Sequence, residues 1–234
     1  PVLDAILADG RRVVEQHRQP RHSLPRDACW VDPDLLAALN DKAGLADHVP
    51  CGWLPTRAVY DAAAADWPPP GRGFPHLLKA ATPDSTGGGV DVVVVRNAAE
   101  VAAARAALAG SPRIVAEDWL DATGFHCLNF ILHRDGRVDY LGTGDMPQRG
   151  DGQYQGNWLG DGVEPGDDLV AAATQVAAGG LRLGFHGFMG MDAARLRDGS
   201  FRIFDLNYRL CGSTVPLLVH DAACAAHGAR VSRF

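Results

Sequence analysis

The sequence predicts an α+β fold, and three observations carry that expectation. Two Asp-Gly dipeptides, Asp135-Gly136 and Asp198-Gly199, sit between apolar runs, the pattern of β-hairpin turns. Helical stretches open on capping residues, Asp32 before Pro33 and Asn97 before an Ala-rich run. Strand and helix blocks also mix without the strict alternation that builds a parallel sheet.

The elements follow in order. An early helix is expected from Leu3 to Gln16. A second starts at Asp32, carries Leu35, Leu36, Leu39 and Lys42, and stops between Gly44 and His48. Residues 61–75 hold a short helix and a Pro/Gly connector. Residues 76–80 (HLLKA) read as an apolar strand, 82–89 (TPDSTGGG) as a loop, 90–95 (VDVVVV) as a strand, and Asn97 caps a helix to about Leu108. Residues 113–120 (RIVAEDWL) read as a buried strand running into a loop, and 124–134 and 137–142 as a hairpin. Residues 143–166 contain seven glycines and no regular period, so a long loop of the kind that covers active sites is expected there. A helix over Asp168 to Gly179, a hairpin of Phe188–Arg197 with Ser200–Leu206, and a mostly helical end from Cys211 complete the chain.

Composition narrows the function. The formal net charge is -6, which argues against a basic nucleic-acid footprint. No stretch approaches the roughly 20 apolar residues of a membrane-spanning helix, and the first residues lack a signal peptide's pattern. Five cysteines without a CxxC pair argue against a disulfide framework or zinc ribbon and suit a reducing cytoplasm. Nine scattered histidines without HExxH do not point to a His-based metal site; His126 and His133 fall on opposite faces of one strand. The chain has 20 arginines but two lysines, Lys42 and Lys79, so these two mark positions where an ammonium is specifically required or survive by chance.

The second hairpin carries the sharpest chemistry. With Asp198-Gly199 as a two-residue loop, Asp192 faces Asp205, and Asn207 lies on the same face. Opposed carboxylates repel. Two carboxylates and an amide oxygen suit Mg²⁺ or Mn²⁺, with phosphates filling the remaining positions. The alternative, a solvated edge where the two Asp never meet, sits poorly with apolar Phe201, Ile203 and the run 187–191. Arg209 follows in the same phase, where a guanidinium suits a metal-bound phosphate.

In the first half, Lys79 ends a buried strand and precedes Gly87, Gly88 and Gly89, whose backbone N–H groups can wrap phosphate oxygens or simply form a linker. No Gly-Lys-Ser/Thr follows, so this is not a Walker A loop. Glu117 ends the next strand, with Asp118, Trp119 and Leu120 entering a loop.

These pieces in this order resemble the ATP-grasp superfamily of carboxylate–amine ligases, close in spacing to its D-alanine–D-alanine ligase and natural-product peptide ligase branches. The matching stretches are NDK (40–42), FPHLLKA with STGGGVDVVVV (74–95), RIVAEDWL (113–120), and GFMGMD through FRIFDLNYRLCGST (187–214). The resemblance implies two α+β lobes with ATP between them: residues 32–112 as the small lobe with its Gly-rich loop, 113–234 as the C-terminal lobe with the metal site, and 1–31 as the remnant of an N-terminal region. An N-terminal Rossmann-like domain, usual in such ligases, is expected to be absent or truncated. Lys42 and Lys79 would meet the ATP phosphates, Ser85 and Gly87 to Gly89 would close over them, and Glu117, Asp118, Trp119 and Leu120 would line the adenine pocket. Asp192, Asp205 and Asn207 would bind Mg²⁺, and Arg209 would stabilise an acyl phosphate. Arg149, the only basic residue of 143–166, and Ser213 are the substrate-side candidates.

The implied reaction is formation of an acyl phosphate from ATP and a carboxylate, then attack by an amine, releasing ADP and phosphate. Its partners are a small-molecule carboxylate and amine, an amino acid or peptide, with no nucleic acid and no membrane; a homodimer is left open. The sequence departs from the family pattern at Asp205, where Glu is more usual, and at Gly124, near the place of an acidic ribose contact. Two other readings of the same residues are a non-catalytic ATP-binding regulatory module and an ATP-grasp-type kinase.

Overall fold

The computed structural model describes residues 2–16, 19, 23–64, 73–82, 91–148 and 154–234. Two antiparallel sheets organise it. The smaller has the order β1-β4-β2-β3, from β1 (Arg57–Asp61), β2 (His76–Ala81), β3 (Val92–Val95) and β4 (Arg113–Asp118). The larger has the order β10-β7-β6-β5-β8-β9, from β5 (Ala122–Leu132), β6 (Val138–Asp145), β7 (Trp158–Gly160), β8 (Gly187–Leu196), β9 (Phe201–Asn207) and β10 (Val231–Arg233). The α+β expectation therefore holds.

The helices show where local chemistry wins. Helix α1 (Val2–Ala8) ends well short of Gln16 because Gly10 takes a positive φ of 74° and turns the chain. Val13 then bridges to Cys29. Helix α2 (Pro33–Leu39) starts where Asp32 accepts from the N–H groups of Asp34 and Leu35, as expected of that cap. It stops early: Asn40 folds back onto the Leu36 carbonyl, and Asp41 caps a new 3-10 turn, Lys42–Gly44, before α3 (Leu45–His48). Asn97 accepts from Ala99 N–H, and α4 (Val101–Leu108) follows. Helices α5 (Asp167–Arg182) and α6 (Thr214–His227) lie against the larger sheet. No described helix is long and apolar enough to cross a membrane.

Two cores result. Leu128, Phe130, Leu132, Met189, Met191 and Ile203 pack under α5 together with Leu39, Leu45, Val49 and Leu54. The second core joins Leu78, Val95 and Ile114 to Ala104 and Leu108 of α4.

Residues 113–118 form β4, a central strand of the smaller sheet, and residues 119–121 cross to the larger one. Leu39, Leu45, Val49 and Leu54 pack into the larger sheet's core, while the turn Lys42–Gly44 between them touches β2 and β4 of the smaller sheet. Within 143–166 the glycine-rich loop is shorter than expected, since β6 runs to Asp145 and β7 forms at Trp158–Gly160. The short edge strands β1 and β10 have no clear sequence period and escape sequence reasoning; β1 ends at Asp61, where the short helix is expected to start, residues 62–63 form a turn, and most of the expected helix and connector lies outside the described residues.

Both hairpin loops are Arg-Asp-Gly triplets rather than Asp-Gly pairs. His133 N–H donates to the Arg137 carbonyl and Leu196 N–H to the Ser200 carbonyl, leaving three residues in each loop. Gly136 (φ 95°) and Gly199 (φ 85°) supply the left-handed third position. The longer loop slips the β8–β9 register by one, pairing Ala194 with Arg202 and Ala193 with Ile203. A bulge at Phe204 then restores it, so Asp192 faces Asp205 as the sequence predicts, for a different reason.

Candidate functional site

The site lies where the two sheets face each other. Glu117 on β4 pairs across the ladder with Arg57 on β1 and, diagonally, reaches Lys79 on β2. Lys79 Nζ sits 2.5 Å from Glu117 Oε2, and Arg57 Nε 3.4 Å from Glu117 Oε1. All three side chains are buried. Lys79 also crosses to the larger sheet: Nζ donates to the Phe204 carbonyl at 3.3 Å and lies 5.2 Å from the centre of the Phe204 ring. The bulged residue of β9 is thus the one that receives the lysine.

The second group of residues stands on β8 and β9. Asp192 and Asp205 are direct cross-strand partners, and Asn207 pairs with Gly190 two residues along. Asn207 Nδ2 lies 3.4 Å from Asp192 Oδ2, and its Oδ1 accepts from Arg209 Nη2 at 2.7 Å. Burial and the charge of Asp205 push the Asp192 carboxyl up to about 6, against the Cys127 hydrogen bond and the positive charges of Arg209 and Lys79. Burial also pulls the Arg57 guanidinium below its ordinary value, opposed by Glu117 and Asp205. Three cations (Lys79, Arg57, Arg209) and three carboxylates (Glu117, Asp192, Asp205) therefore share one field.

The field is not fully satisfied. Arg57 Nη1, Arg209 Nε and Glu117 Oε1 are buried without a hydrogen-bond partner. Buried polar atoms without partners cost about 1–3 kcal/mol each, so such a cluster is the mark of a site built for a polar ligand. Two carboxylates and an amide oxygen are hard donors that fit a divalent cation such as Mg²⁺. Among the described residues no three His, Cys, Asp or Glu side chains gather closely enough to hold an ion by themselves.

The loop after β9 is anchored from beneath. Asn129 on β5 is fully buried; it donates to Ser213 Oγ at 2.9 Å and accepts from Thr214 Oγ1 at 2.7 Å. Thr214 Oγ1 in turn receives Cys211 N–H at 2.8 Å. On the other side, Tyr208 N–H donates to Asn40 Oδ1 at 2.9 Å, which ties the end of α2 to the residue beside Arg209. Ser213, a substrate-side candidate by sequence, is itself buried in this anchor.

The remaining sequence candidates divide. Lys42 lies in the 3-10 turn packed against β2 and β4, and its carbonyl accepts from Arg57 Nη2 at 2.5 Å. Asp118 ends β4, and Trp119 and Leu120 form the crossover, with Trp119 exposed. Ser85, Gly87, Gly88, Gly89 and Arg149 lie outside the described residues. His126 and His133 each pair with their own carboxylate, Asp145 and Asp139. Sequence reasoning missed Arg57, Asn40, Asn129 and Cys127. Only Arg57 left a trace: it is a charged residue opening a short Ala-Val-Tyr run.

Comparison with known proteins agrees with this architecture. A family model described as L-aspartate–L-methionine ligase, ATP grasp, matches residues 55–207. The biotin carboxylase domain of Hydrogenobacter thermophilus 2-oxoglutarate carboxylase, solved with MgADP, ADP and bicarbonate, superposes with a TM-score of 0.67 at 17% identity, covering 89% of this chain and 50% of that one. An ADP complex of N5-carboxyaminoimidazole ribonucleotide synthetase gives 0.60 at 19%, covering 76% and 47%. The L-amino acid ligase of Bacillus licheniformis gives 0.57 at 18%, covering 77% and 43%. These likenesses show the fold, and the chain spans about half the length of the structures it matches. With the family model covering the whole stretch from the start of the smaller sheet to Asn207, the chain belongs to the ATP-grasp family of L-aspartate–L-methionine ligase.

Proposed function

We propose that this chain carries the nucleotide and metal machinery of an ATP-dependent carboxylate–amine ligase, with L-aspartate and L-methionine as the first acid and amine to test. The observation that carries the reading is the buried field of Lys79, Arg57, Arg209, Glu117, Asp192 and Asp205, with unpaired donors at Arg57 and Arg209, held where the two sheets meet. The family match and the nucleotide-bound neighbours support it.

In this reading Asp192, Asp205 and Asn207 hold Mg²⁺. The ion supplies charge neutralisation and orientation for the phosphates. Lys79 and Lys42 face the phosphates, with Ser85 and Gly87 to Gly89 closing over them. Glu117 fixes the Lys79 ammonium, and Asp118, Trp119 and Leu120 at the crossover form the base-binding edge. The carboxylate of the acid takes the γ-phosphoryl group of ATP, releasing ADP. The amine then attacks the acyl carbon, and inorganic phosphate leaves. Arg209 stabilises the negative charge that builds during both steps. Arg149 and Ser213 remain the substrate-side residues to vary. No nucleophilic side chain is required.

The test is ADP and phosphate release by the purified protein with MgATP, with L-aspartate and L-methionine separately and together, then pooled amino acids. Release that needs both an acid and an amine, and is lost in Lys79→Ala, is the expected result. ADP release with a stable phosphorylated product and no need of an amine would replace the ligase by a kinase. Tight nucleotide binding with no release would leave a binding module. Light scattering of the same sample reads whether the protein is a homodimer.

A further inference from the structure

Two thiols meet beside the carboxylates of the site, and the proposed chemistry uses neither. Cys127 projects from β5 directly across the ladder from Asp192. It is buried, and Cys211 beside it, that burial and nearby Asp192 hold its thiol above the ordinary range. Cys211 is two residues beyond Arg209, in the loop that leaves β9, and is partly exposed. Its sulfur lies over Gly190 of β8: a Cβ on that glycine would stand 2.1 Å from Cys211 Sγ and 3.5 Å from Cys127 Sγ. The missing side chain at residue 190 therefore makes the space in which the two sulfurs approach across β8.

The approach is built rather than incidental. The Cys211 backbone N–H is held by Thr214 Oγ1, which is itself held by fully buried Asn129, a residue two along β5 from Cys127. Asn129 Nδ2 also lies 3.8 Å from Cys127 Sγ. One anchor thus positions both cysteines. The other three do not share it: Cys29 Sγ faces the Pro25 carbonyl, Cys51 is exposed, and Cys224 packs on His220. Nor do Cys127 and Cys211 join a third His, Cys, Asp or Glu in a metal-holding group among the described residues.

We infer that Cys127 and Cys211 form an oxidation site that peroxide converts to an intramolecular disulfide, and that this bond shuts the metal and nucleotide site beside it. Partly exposed Cys211 meets the oxidant first. Its sulfur attacks one peroxide oxygen, giving a sulfenic acid and one water. The Cys127 sulfur then attacks Cys211 Sγ, the S–S bond forms, and the hydroxyl leaves as a second water with the Cys127 proton. The two sulfurs lose two electrons in all, and hydrogen peroxide takes them. The bond takes up the thiol opposite Asp192 and ties the segment carrying Arg209 to β5. A small dithiol reverses it. The closing of the site rests on the proposed function; formation of the bond does not.

The experiment treats the purified protein with hydrogen peroxide, blocks free thiols, and maps tryptic peptides without reduction. The expected product links the peptide 114–134, which holds Cys127, to the peptide 210–230. Because 210–230 also holds Cys224, the link must vanish in Cys211→Ser and persist in Cys224→Ser. Oxidised protein should lose its MgATP-induced melting shift and regain it with dithiothreitol, while Cys211→Ser keeps the shift throughout. Free, alkylatable Cys127 and Cys211 after peroxide, or a link that survives in Cys211→Ser, would overturn the oxidation site. A clean link with an unchanged MgATP shift would overturn the closing of the site. If reduced protein shows no MgATP shift at all, the link still forms, and it is the ligase reading that fails.

Discussion

Replacing Glu117 by Gln keeps the volume of the side chain and removes one charge from the most buried ionic group among the described residues. Glu117, Lys79 and Arg57 are 1%, 5% and 8% exposed at their side chains, and the carboxylate lies 2.5 Å from Lys79 Nζ and 3.4 Å from Arg57 Nε. Without it, two cations face each other across β4 with no anion between them. Removing one partner of a buried pair costs about 3–5 kcal/mol, because the remaining charge is left uncompensated. For a chain of this size each 1 kcal/mol moves the melting temperature by about 2–4 °C, so Glu117→Gln should melt roughly 6–20 °C below the parent. The assay is thermal and urea unfolding of metal-free protein, followed by circular dichroism. An internal control is Asp121→Asn, which breaks the fully exposed Asp121–Arg197 pair and should leave the melt where it was. A second arm is Glu117→Gln with Lys79→Met, which removes the stranded cation and should recover part of the loss, a positive coupling in the double-mutant cycle. A Glu117→Gln melt that matches the Asp121→Asn melt would refute the reasoning. It would mean that water or rearrangement already satisfies Lys79 and Arg57 and that the ion group is not closed.

Three further outcomes follow from the packing and the charges. Gly190→Ala places a methyl 2.1 Å from Cys211 Sγ and should displace the loop that carries Arg209, abolishing the MgATP melting shift; adding Cys211→Ala removes the clashing sulfur and should restore it. Two adjacent glycines of α5 should respond in opposite directions. At Gly180 a Cβ would meet the buried Tyr208 ring at 2.5 Å, so Gly180→Ala should lose about 1–3 kcal/mol by overpacking. At Gly179 the nearest atom is Arg182 Nη2 at 3.7 Å, so Gly179→Ala should gain up to about 1 kcal/mol of helix propensity, both read by urea unfolding. The last outcome depends on pH. The folded Asp192 carboxyl is raised to about 6, above its unfolded value, so its contribution to stability is present below the unfolded pKa and is lost as pH rises through about 6. Asp192→Asn should therefore stabilise the metal-free protein near pH 8 and lose that advantage toward pH 4, as a melting series across pH would show.

The parts of the site legible in the sequence are those set by residue type within one element. The Asp32 and Asn97 caps and the presence of a turn at each Asp-Gly are local chemistry, and they stand where the pattern puts them; Lys79 and Glu117 lie on the expected strands, though β2 runs on to Ala81 and β4 to Asp118. The sheet to which 113–118 belongs is not legible, because a strand's neighbours are not encoded in its own period. Arg113 to Asp118 reads as apolar in either sheet, and only its ladders with β1 and β2 decide. Arg57 left only a faint trace for the same reason: an arginine on a short edge strand reads as exposed until Glu117 is known to lie opposite. Cys127 became meaningful only through its pairing with Asp192, a contact between distant stretches of chain.

The β8–β9 pair shows how a correct expectation can rest on the wrong cause, and what the true cause adds. A three-residue loop alone would set Asp192 opposite Phe204 and turn Asp205 away from it. The bulge at Phe204 cancels that slip, so the two carboxylates still meet. The extra residue does more than restore the count. A bulge leaves one residue out of the ladder, and here the Phe204 carbonyl accepts from Lys79 while its ring lies beneath the same ammonium. A regular hairpin with a two-residue loop would place Asp192 opposite Asp205 equally well, but would commit residue 204 to pairing within the sheet. The longer loop and the bulge therefore act as a unit: together they keep the carboxylates in register and turn one residue of the larger sheet toward the lysine of the smaller one. That residue joins the strands carrying Asp192 and Asp205 to the Lys79–Glu117–Arg57 group, and a period-2 reading of β9 contains no sign of it.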